Sequence, residues 1–410
     1  MGKVLGIISE YNPFHNGHLY HLEQSKKLTG ANYTIAIMGG NFTQRGSTSI
    51  IDKWSKTEMA LNCGIDLVIE LPLLYSISSA ENFADGAIKI LDSLKVVDYI
   101  SFGAETSEID LLDKIANVLY KEPKAYKDLL STEMKKGLSF PKARENALMS
   151  YLPDSNNYEH ILSSPNNILG IEYLKALKRY KSNIKPISVA RFESGYNDLN
   201  YSGNIASATA IRNIIKNGGF DIIRRLLPPP CYSILMDNIK QGHIVPDLSA
   251  FERQIIYNLR KMDVEEIAEL PDVTEGLEFA IKKSANACNT LHEFFTFIKS
   301  KRYTATRIQR ILLYALLGIT KKDIALSKKI NPYIRVLGLN NRGKFLISEI
   351  AKSNPKLEII TSVKRFYENS NNKNLNLLLD KDIWATNVYT IAYDFDSCNN
   401  LDFTKKLVTI

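Results

Sequence analysis

Through the first half of the chain, short apolar runs alternate with stretches whose apolar residues recur every three to four positions. Lys3 to Ser9, Tyr33 to Met38, Asp66 to Leu71 and Tyr99 to Gly103 have the length and composition of strands buried on both faces. Between them, His18 to Leu28, Asp52 to Asn62 and Ser79 to Leu94 carry apolar residues at helical spacing. This alternation predicts an α/β fold, a Rossmann-like parallel sheet covered by helices. Ile109 to Tyr180 reads as a helical insertion, in which Ser164-Pro165-Asn166-Asn167 marks a helix start by its capping residue and proline. Lys185 to Arg191 predicts a returning strand, and Ser207 to Lys216 a further helix with Ser207 as N-cap.

Pro228-Pro229-Pro230 cannot continue a helix and marks a boundary between a first domain, residues 1–227, and a mainly α-helical C-terminal domain, residues 231–410. Within the second part, Glu368 to Lys373 reads as a loop. Trp384 to Asp394 is rich in β-branched and aromatic residues, which predicts added strands.

Composition narrows the class. A chain of 410 residues, 45% hydrophobic and 23% charged, suits a soluble globular protein of two domains. The start, Met1 to Ile8, has no cleavage-type small residues and no long apolar run behind it, so it reads as a first strand rather than a signal peptide; a cytoplasmic location and no membrane partner are expected. Cys63, Cys231, Cys288 and Cys398 form no metal-type pair and are expected to be reduced. The net charge of +8 is uneven: 26 Lys+Arg face 24 Asp+Glu up to Pro230, and 26 face 20 from Cys231 onward. A basic second part points to a polyanionic partner such as RNA, because neutralising phosphates releases counterions.

The segment Glu10-Tyr11-Asn12-Pro13-Phe14-His15-Asn16-Gly17-His18 falls between the first strand and the first helix. In open α/β sheets ligands lie beyond the carboxyl ends of the strands, where a helix N-terminus offers free N–H groups to a phosphate. Gly17 removes a side chain where a nucleotide must approach the backbone. His15 and His18 can then donate to an α-phosphate as a nucleophile adds and pyrophosphate leaves. A lone histidine near a strand end is more often a satisfied core residue; the His-x-Gly-His spacing at the first strand-to-helix turn tips the balance towards chemistry. A second element, Ser207-Ala208-Thr209-Ala210-Ile211-Arg212, puts two hydroxyls and a guanidinium on one helical turn, which suits β- and γ-phosphates. Alone it would be only an N-cap with an exposed arginine.

The pair resembles the HIGH-motif nucleotidyltransferases. No Lys-Met-Ser-Lys-Ser signature is present, which speaks against an aminoacyl-tRNA synthetase. Glu10 to Leu22, Gly40-Asn41-Phe42-Thr43-Gln44-Arg45-Gly46, Asp66 to Pro72, Ser101-Phe102-Gly103-Ala104-Glu105 and Ser164 to Gly170 together resemble the bacterial tRNA(Met) cytidine acetate ligase family over essentially the whole chain, with Ala104 where that pattern leads one to expect serine. The resemblance implies an acetyl-adenylate made from acetate and ATP, then acetylation of the exocyclic amine of the wobble cytidine of elongator tRNA(Met). It makes His15 and His18 catalytic. It places ATP contacts on Ile7, Ile8, Ser9, Glu10, Tyr11, Asn12, Pro13, Phe14, His15, Asn16, Gly17, His18, Leu19 and Tyr20, and on Gly103, Asn166, Arg191, Ser207, Thr209 and Arg212. Whether Asn166 or Asn167 makes the contact is open.

Other polar residues are candidates by position. Asn41, Gln44, Arg45 and Lys53 follow the second strand, on the ligand side of the sheet, where Arg45 or Lys53 can anchor a carboxylate or phosphate. Glu10, Glu81 and Glu105 are candidates for taking the proton from an attacking amine. His15, His18 and His21 lack a carboxylate or cysteine set, so no resident metal is expected; Mg2+ held by the ATP phosphates is. Lys299, Lys301, Arg302, Arg307 and Arg310, with Tyr303 among them, form a basic and aromatic cluster suited to RNA phosphates and bases. Arg335, Arg342 and Lys344 extend it. No obligatory protein partner is expected. A small-molecule adenylyltransferase and a non-catalytic RNA-binding scaffold are the competing readings.

Overall fold

The computed structural model describes residues 1–106, 108–152, 161–162, 164–191, 204–298, 303–370, 372–394 and 399–410. Among these residues eight strands form one sheet: β1 (Val4–Ser9), β2 (Tyr33–Gly39), β3 (Leu67–Leu71), β4 (Tyr99–Ala104), β5 (Lys185–Ala190), β6 (Tyr333–Leu339), β7 (Glu358–Ile360) and β8 (Val408–Thr409). Their order is β5-β4-β1-β2-β3-β6-β7, with β8 also on β6. The first five are parallel, with Val4 opposite Tyr33 and Leu5 opposite Tyr99. The chain leaves β1 towards β2 and β3, then returns to β4 on the other side. Its switch point therefore lies between β1 and β4, and the crevice outside their carboxyl ends is where such a sheet takes a ligand.

Alternation along the strands sorts side chains to two faces. Val4, Ile35, Ile37 and Ile69 pack with helices Ala80–Ser93, Ile109–Lys121 and Pro165–Tyr180, whereas Leu5, Ile7, Ala36 and Val68 pack with helices Asn16–Thr29, Lys53–Asn62 and Ala208–Lys216. This double covering is why the strands read as unbroken apolar runs. The predicted strands over β1 to β5 and the helix capped by Ser207 are present.

The part beyond Pro230 also builds the sheet, and one expectation, for Trp384 to Asp394, needs correction. Residues after Pro230 are mostly helical, yet β6, β7 and β8 come from them and extend the same sheet, β6 running antiparallel to β3 with Leu339 opposite Leu67. Pro229 and Pro230 open the helix Pro229–Lys240, a first-turn position where a missing N–H costs nothing. The division expected there thus does not part the sheet. Trp384 to Tyr389 ends the long helix Lys373–Tyr389 and leads into a 3-10 turn, Thr390–Ala392. Tertiary partners override β propensity here: Asp382 accepts from Leu73 N at 2.6 Å, and Tyr389 Oη donates to Ser49 O at 2.9 Å.

A buried charge cluster joins the two halves and relocates two candidates. Lys53 Nζ lies 2.8 Å from both Glu70 and Asp402, and Arg335 lies 2.5 Å from Asp402. All four side chains are almost wholly buried. Lys53 is therefore no substrate anchor and Arg335 no part of an RNA surface. A charge taken out of water must be paired, and each of these is.

Candidate active site

Beyond the carboxyl ends of β1, β4 and β5 opens a cleft of about 860 Å3. Its floor is the first strand-to-helix turn. His15 is the N-cap of helix Asn16–Thr29, and its Nδ1 accepts from Gly17 N at 3.0 Å. His18 Nδ1 accepts from His15 N at 3.3 Å, completing a reciprocal cap. An imidazole whose Nδ1 accepts must, when neutral, carry its proton on Nε2. Both rings therefore offer an Nε2–H donor, with ring centroids 3.8 Å apart. A methyl group on Gly17 would sit 2.9 Å from His15 Cε1, so only glycine leaves room for this ring.

The environment keeps these imidazoles neutral. Burial, then Arg191 and Arg212, push His15 down to about 3. His18 is held well below the ordinary range by burial, His15, Arg191 and His21. His21 is pushed down to about 4 by burial and Arg191, and meets Ser101 Oγ through Nε2 at 3.0 Å. Neutral donors among fixed cations are poised for an anion. A bound triphosphate would raise all three values.

The distant Ser-x-Thr-x-x-Arg element is clamped onto this turn. Arg212 Nη1 donates to Asn12 O at 2.9 Å and Nη2 to Thr209 Oγ1 at 3.1 Å. Asn16 Nδ2 donates to Asn204 O and Arg225 O at 2.8 and 2.9 Å. Ser207 caps its helix by accepting from Ala210 N, which leaves its hydroxyl proton for another acceptor. Arg191 follows β5 and is tied by its N–H to Ala104 O at 3.0 Å.

Of the residues expected to contact ATP, the cleft is lined by Ile7, Ile8, Ser9, Glu10, Tyr11, Asn12, His15, Gly17, His18 and Tyr20, with Gly103, Asn166, Arg191, Ser207, Thr209 and Arg212. Pro13, Phe14, Asn16 and Leu19 do not line it. Phe14 is fully buried in the core, and Asn16 is the clamp just described. The two asparagines differ in position: Asn166 lines the cleft, whereas Asn167 is buried and its Oδ1 accepts from Glu105 N at 2.9 Å.

The carboxylates separate by environment. Glu105 caps helix Pro165–Tyr180, accepting from Asn166 Nδ2 and Asn167 N, and Glu81 is bound to Lys175 and Arg179. Glu10 lines the cleft and accepts from Gln44 N at 2.7 Å. Asn41 is structural, accepting from Lys53 N and donating to Thr386.

The opposite wall comes from beyond Pro230. Asp272, Thr304, Thr306, Arg307 and Arg310 line the same cleft as the histidines, facing Thr43, Gln44, Arg45 and Ser47. Arg307 donates to Asp272 O and Thr274 Oγ1 and lies 5.1 Å over the Tyr303 ring; Arg310 pairs with Asp272 at 2.8 Å. Lys299, Lys301 and Arg302 lie outside the described residues. Gly46, at φ +73°, backs onto the helix Ala305–Leu317 so closely that a Cβ would lie 2.3 Å from Arg310 N. Arg342 lies over the Tyr33 ring, away from this wall, and Lys344 pairs with Asn341.

Lys56 escaped sequence reasoning. Its buried ammonium donates to Glu10 O, Gly39 O, Gly40 O and Ser49 Oγ at 2.7–3.0 Å, fastening the turn after β1 to the one after β2. Burial pushes it down to about 8. The available signal was a lysine on the apolar face of a predicted helix. Among the described residues no group of His, Cys, Asp and Glu could hold a metal ion.

Paired imidazole donors at the first strand-to-helix turn of a parallel sheet, with arginines closing over them, define a nucleotidyltransferase, and the family model described as HIGH Nucleotidyl Transferase matches residues 2–403. Within that class the chain belongs to the tRNA(Met) cytidine acetate ligase family. It is 46% identical over 407 residues to the tRNA(Met) cytidine acetate ligase of a Thermoanaerobacter species, covering 99% of this chain and 100% of that protein. It is 44% identical over 397 residues to the protein of that name from Acetivibrio thermocellus, covering 95% of each. The apo crystal structure of Thermotoga maritima TmcAL superposes with a TM-score of 0.95 at 34% identity, over 100% of this chain and 99% of that one. The same protein bound with alpha-thio ATP gives 0.92, again at 34% identity with the same coverage.

Proposed function

We propose that this chain ligates acetate to a cytidine of elongator tRNA(Met), using ATP and an acetyl-adenylate. The observation that carries the reading is the convergence on one cleft of the His15 and His18 Nε2–H donors with Arg191 and Arg212. The names of the relatives and the alpha-thio ATP bound to TmcAL support it.

In the first step a carboxylate oxygen attacks Pα of ATP and the Pα–O bond to pyrophosphate breaks. Charge grows on the oxygens around Pα and on the leaving pyrophosphate. Fixed donors aimed at such charge stabilise the transition state without reorganising. His15 and His18 supply neutral N–H groups, and Arg191, Thr209 and Arg212 hold the leaving phosphates. Mg2+ carried on the ATP phosphates would offset their charge while Arg191, Thr209 and Arg212 hold them. In the second step the cytidine N4 amine attacks the acyl carbon and AMP leaves, with Glu10 the carboxylate best placed to take the amine proton.

Arg307 and Arg310, with Tyr303, serve as the RNA-binding edge in this reading. A loop base is already largely unpaired, so delivering it to the cleft costs little. Among the described residues no helix is long and apolar enough to cross a membrane, and a cytoplasmic site of action fits a tRNA substrate.

The test combines the full chain, ATP, labelled acetate and unmodified tRNA(Met). Label on a cytidine that depends on ATP is the expected result. Pyrophosphate release with no label on any tRNA would overturn the reading.

A further inference from the structure

Two cysteines set far apart in the sequence meet outside the cleft. Cys63 is the C-cap of helix Lys53–Asn62, and Cys231 lies in the first turn of helix Pro229–Lys240. Their sulfurs are 3.3 Å apart across 168 residues of sequence. Two unbonded sulfurs at that separation are in full contact, and a disulfide at about 2.05 Å asks for a closure of only about 1.3 Å. The approach is held from both sides. Cys63 N–H is tied to the carbonyls of Met59, Ala60 and Leu61, while the proline run that precedes Cys231 fixes the entry to its helix.

The two thiols differ in the way a reactive and a resolving partner differ. Cys63 is partly exposed and open to a small oxidant, whereas Cys231 is fully buried. The Cys63 contact and burial push the Cys231 thiol up, so it keeps its proton. Neither sulfur lines the cleft, and nothing in the proposed chemistry uses them.

We propose that Cys63 and Cys231 form a reversible disulfide site, oxidised by hydrogen peroxide through a sulfenic acid on Cys63. In the first step the Cys63 sulfur attacks one peroxide oxygen; the O–O bond breaks, an S–O bond forms, and the other oxygen leaves as water with the thiol proton. The sulfur loses two electrons and peroxide gains them. In the second step the Cys231 sulfur attacks the Cys63 sulfur, the S–S bond forms, and the hydroxyl leaves as water with the Cys231 proton. The product ties the helix that carries Lys56 to the helix that opens the second half of the chain. A dithiol reductant reverses it.

The full-length protein, reduced and desalted, is exposed to hydrogen peroxide, alkylated in denaturant, digested without reductant and analysed by mass spectrometry. We expect the Cys63 and Cys231 peptides joined and two hydrogens lighter than their sum in more than half of the molecules, with dithiothreitol restoring both thiols. C63S should abolish the linked species and leave Cys231 alkylated, and C288S should keep it. Alkylation of both thiols after peroxide, a Cys63 that ends as unlinked sulfinic acid, or linkage of Cys63 to Cys288 or Cys398 would each overturn the proposal.

Discussion

Arg212 donates to the carbonyl of Asn12 at 2.9 Å although 200 positions separate them in the chain. One guanidinium thereby lines the cleft and pins the turn that holds both imidazoles. Arg212→Lys keeps the charge but loses the planar fork, which lysine cannot reproduce. Acetate-dependent exchange of pyrophosphate into ATP should fall roughly tenfold or more, the scale of about 1.4 kcal/mol of lost transition-state binding, with tRNA affinity unchanged. An exchange rate equal to that of the unaltered protein would remove Arg212 from the site.

His15→Ala and His18→Ala each delete one Nε2–H donor. The same exchange rate should drop roughly a hundredfold, comparable to losing an oxyanion-type donor. Because the pair acts as a unit, the double variant should lose little more than either single one. Fully additive losses would mean that the two rings work independently.

The depressed imidazoles His15 and His21 also make stability fall in acid. Unfolded histidines take up protons below about 6.5, whereas folded His15 and His21 do so only near 3 and 4. Between those values the unfolded state binds more protons, so stability must fall as pH falls through that window. Urea midpoints at pH 7 and pH 5 should show the loss, and His21→Gln should lessen it. Identical pH slopes in H21Q and the unaltered protein would contradict the assigned burial.

Lys56→Met should destabilise the fold by about 3 kcal/mol or more, since several buried acceptors each lose a partner at about 1–3 kcal/mol apiece. Urea unfolding gives the number. A variant within about 0.5 kcal/mol of the parent, the range usual for surface sites, would show that the two turns hold without the ammonium.

Neutralising Arg307 and Arg310 together should weaken tRNA binding and reduce its salt slope by about one for each RNA phosphate left without a cation beside it. Filter binding between low and moderate salt reads both quantities. An unchanged affinity and slope would move the RNA surface elsewhere.

The five parallel strands, the helices between them and the His-x-Gly-His turn were legible because each is written locally. Apolar period, capping residues and the spacing of His15, Gly17 and His18 act over a few residues and need no distant partner. Lys53, Arg335, Lys56 and the Trp384–Asp394 segment were not legible for the opposite reason. Nothing near Lys53 in sequence reveals that Glu70 and Asp402 will bury it, and β-rich composition at residues 384–394 yields to the helix that Asp382 and Tyr389 fasten to Leu73 and Ser49.

By itself the amino-acid sequence determined that a His-x-Gly-His turn would open a parallel sheet, because helix caps and strand periods are short-range physics. Only tertiary structure decided that Asn16 and Arg212 would clamp a distant helix onto that turn, that the second half would finish the sheet and wall the cleft, and that Cys63 would touch Cys231. Such pairings join residues far apart in the chain, and their loop-closure entropy is recovered only when the whole core assembles.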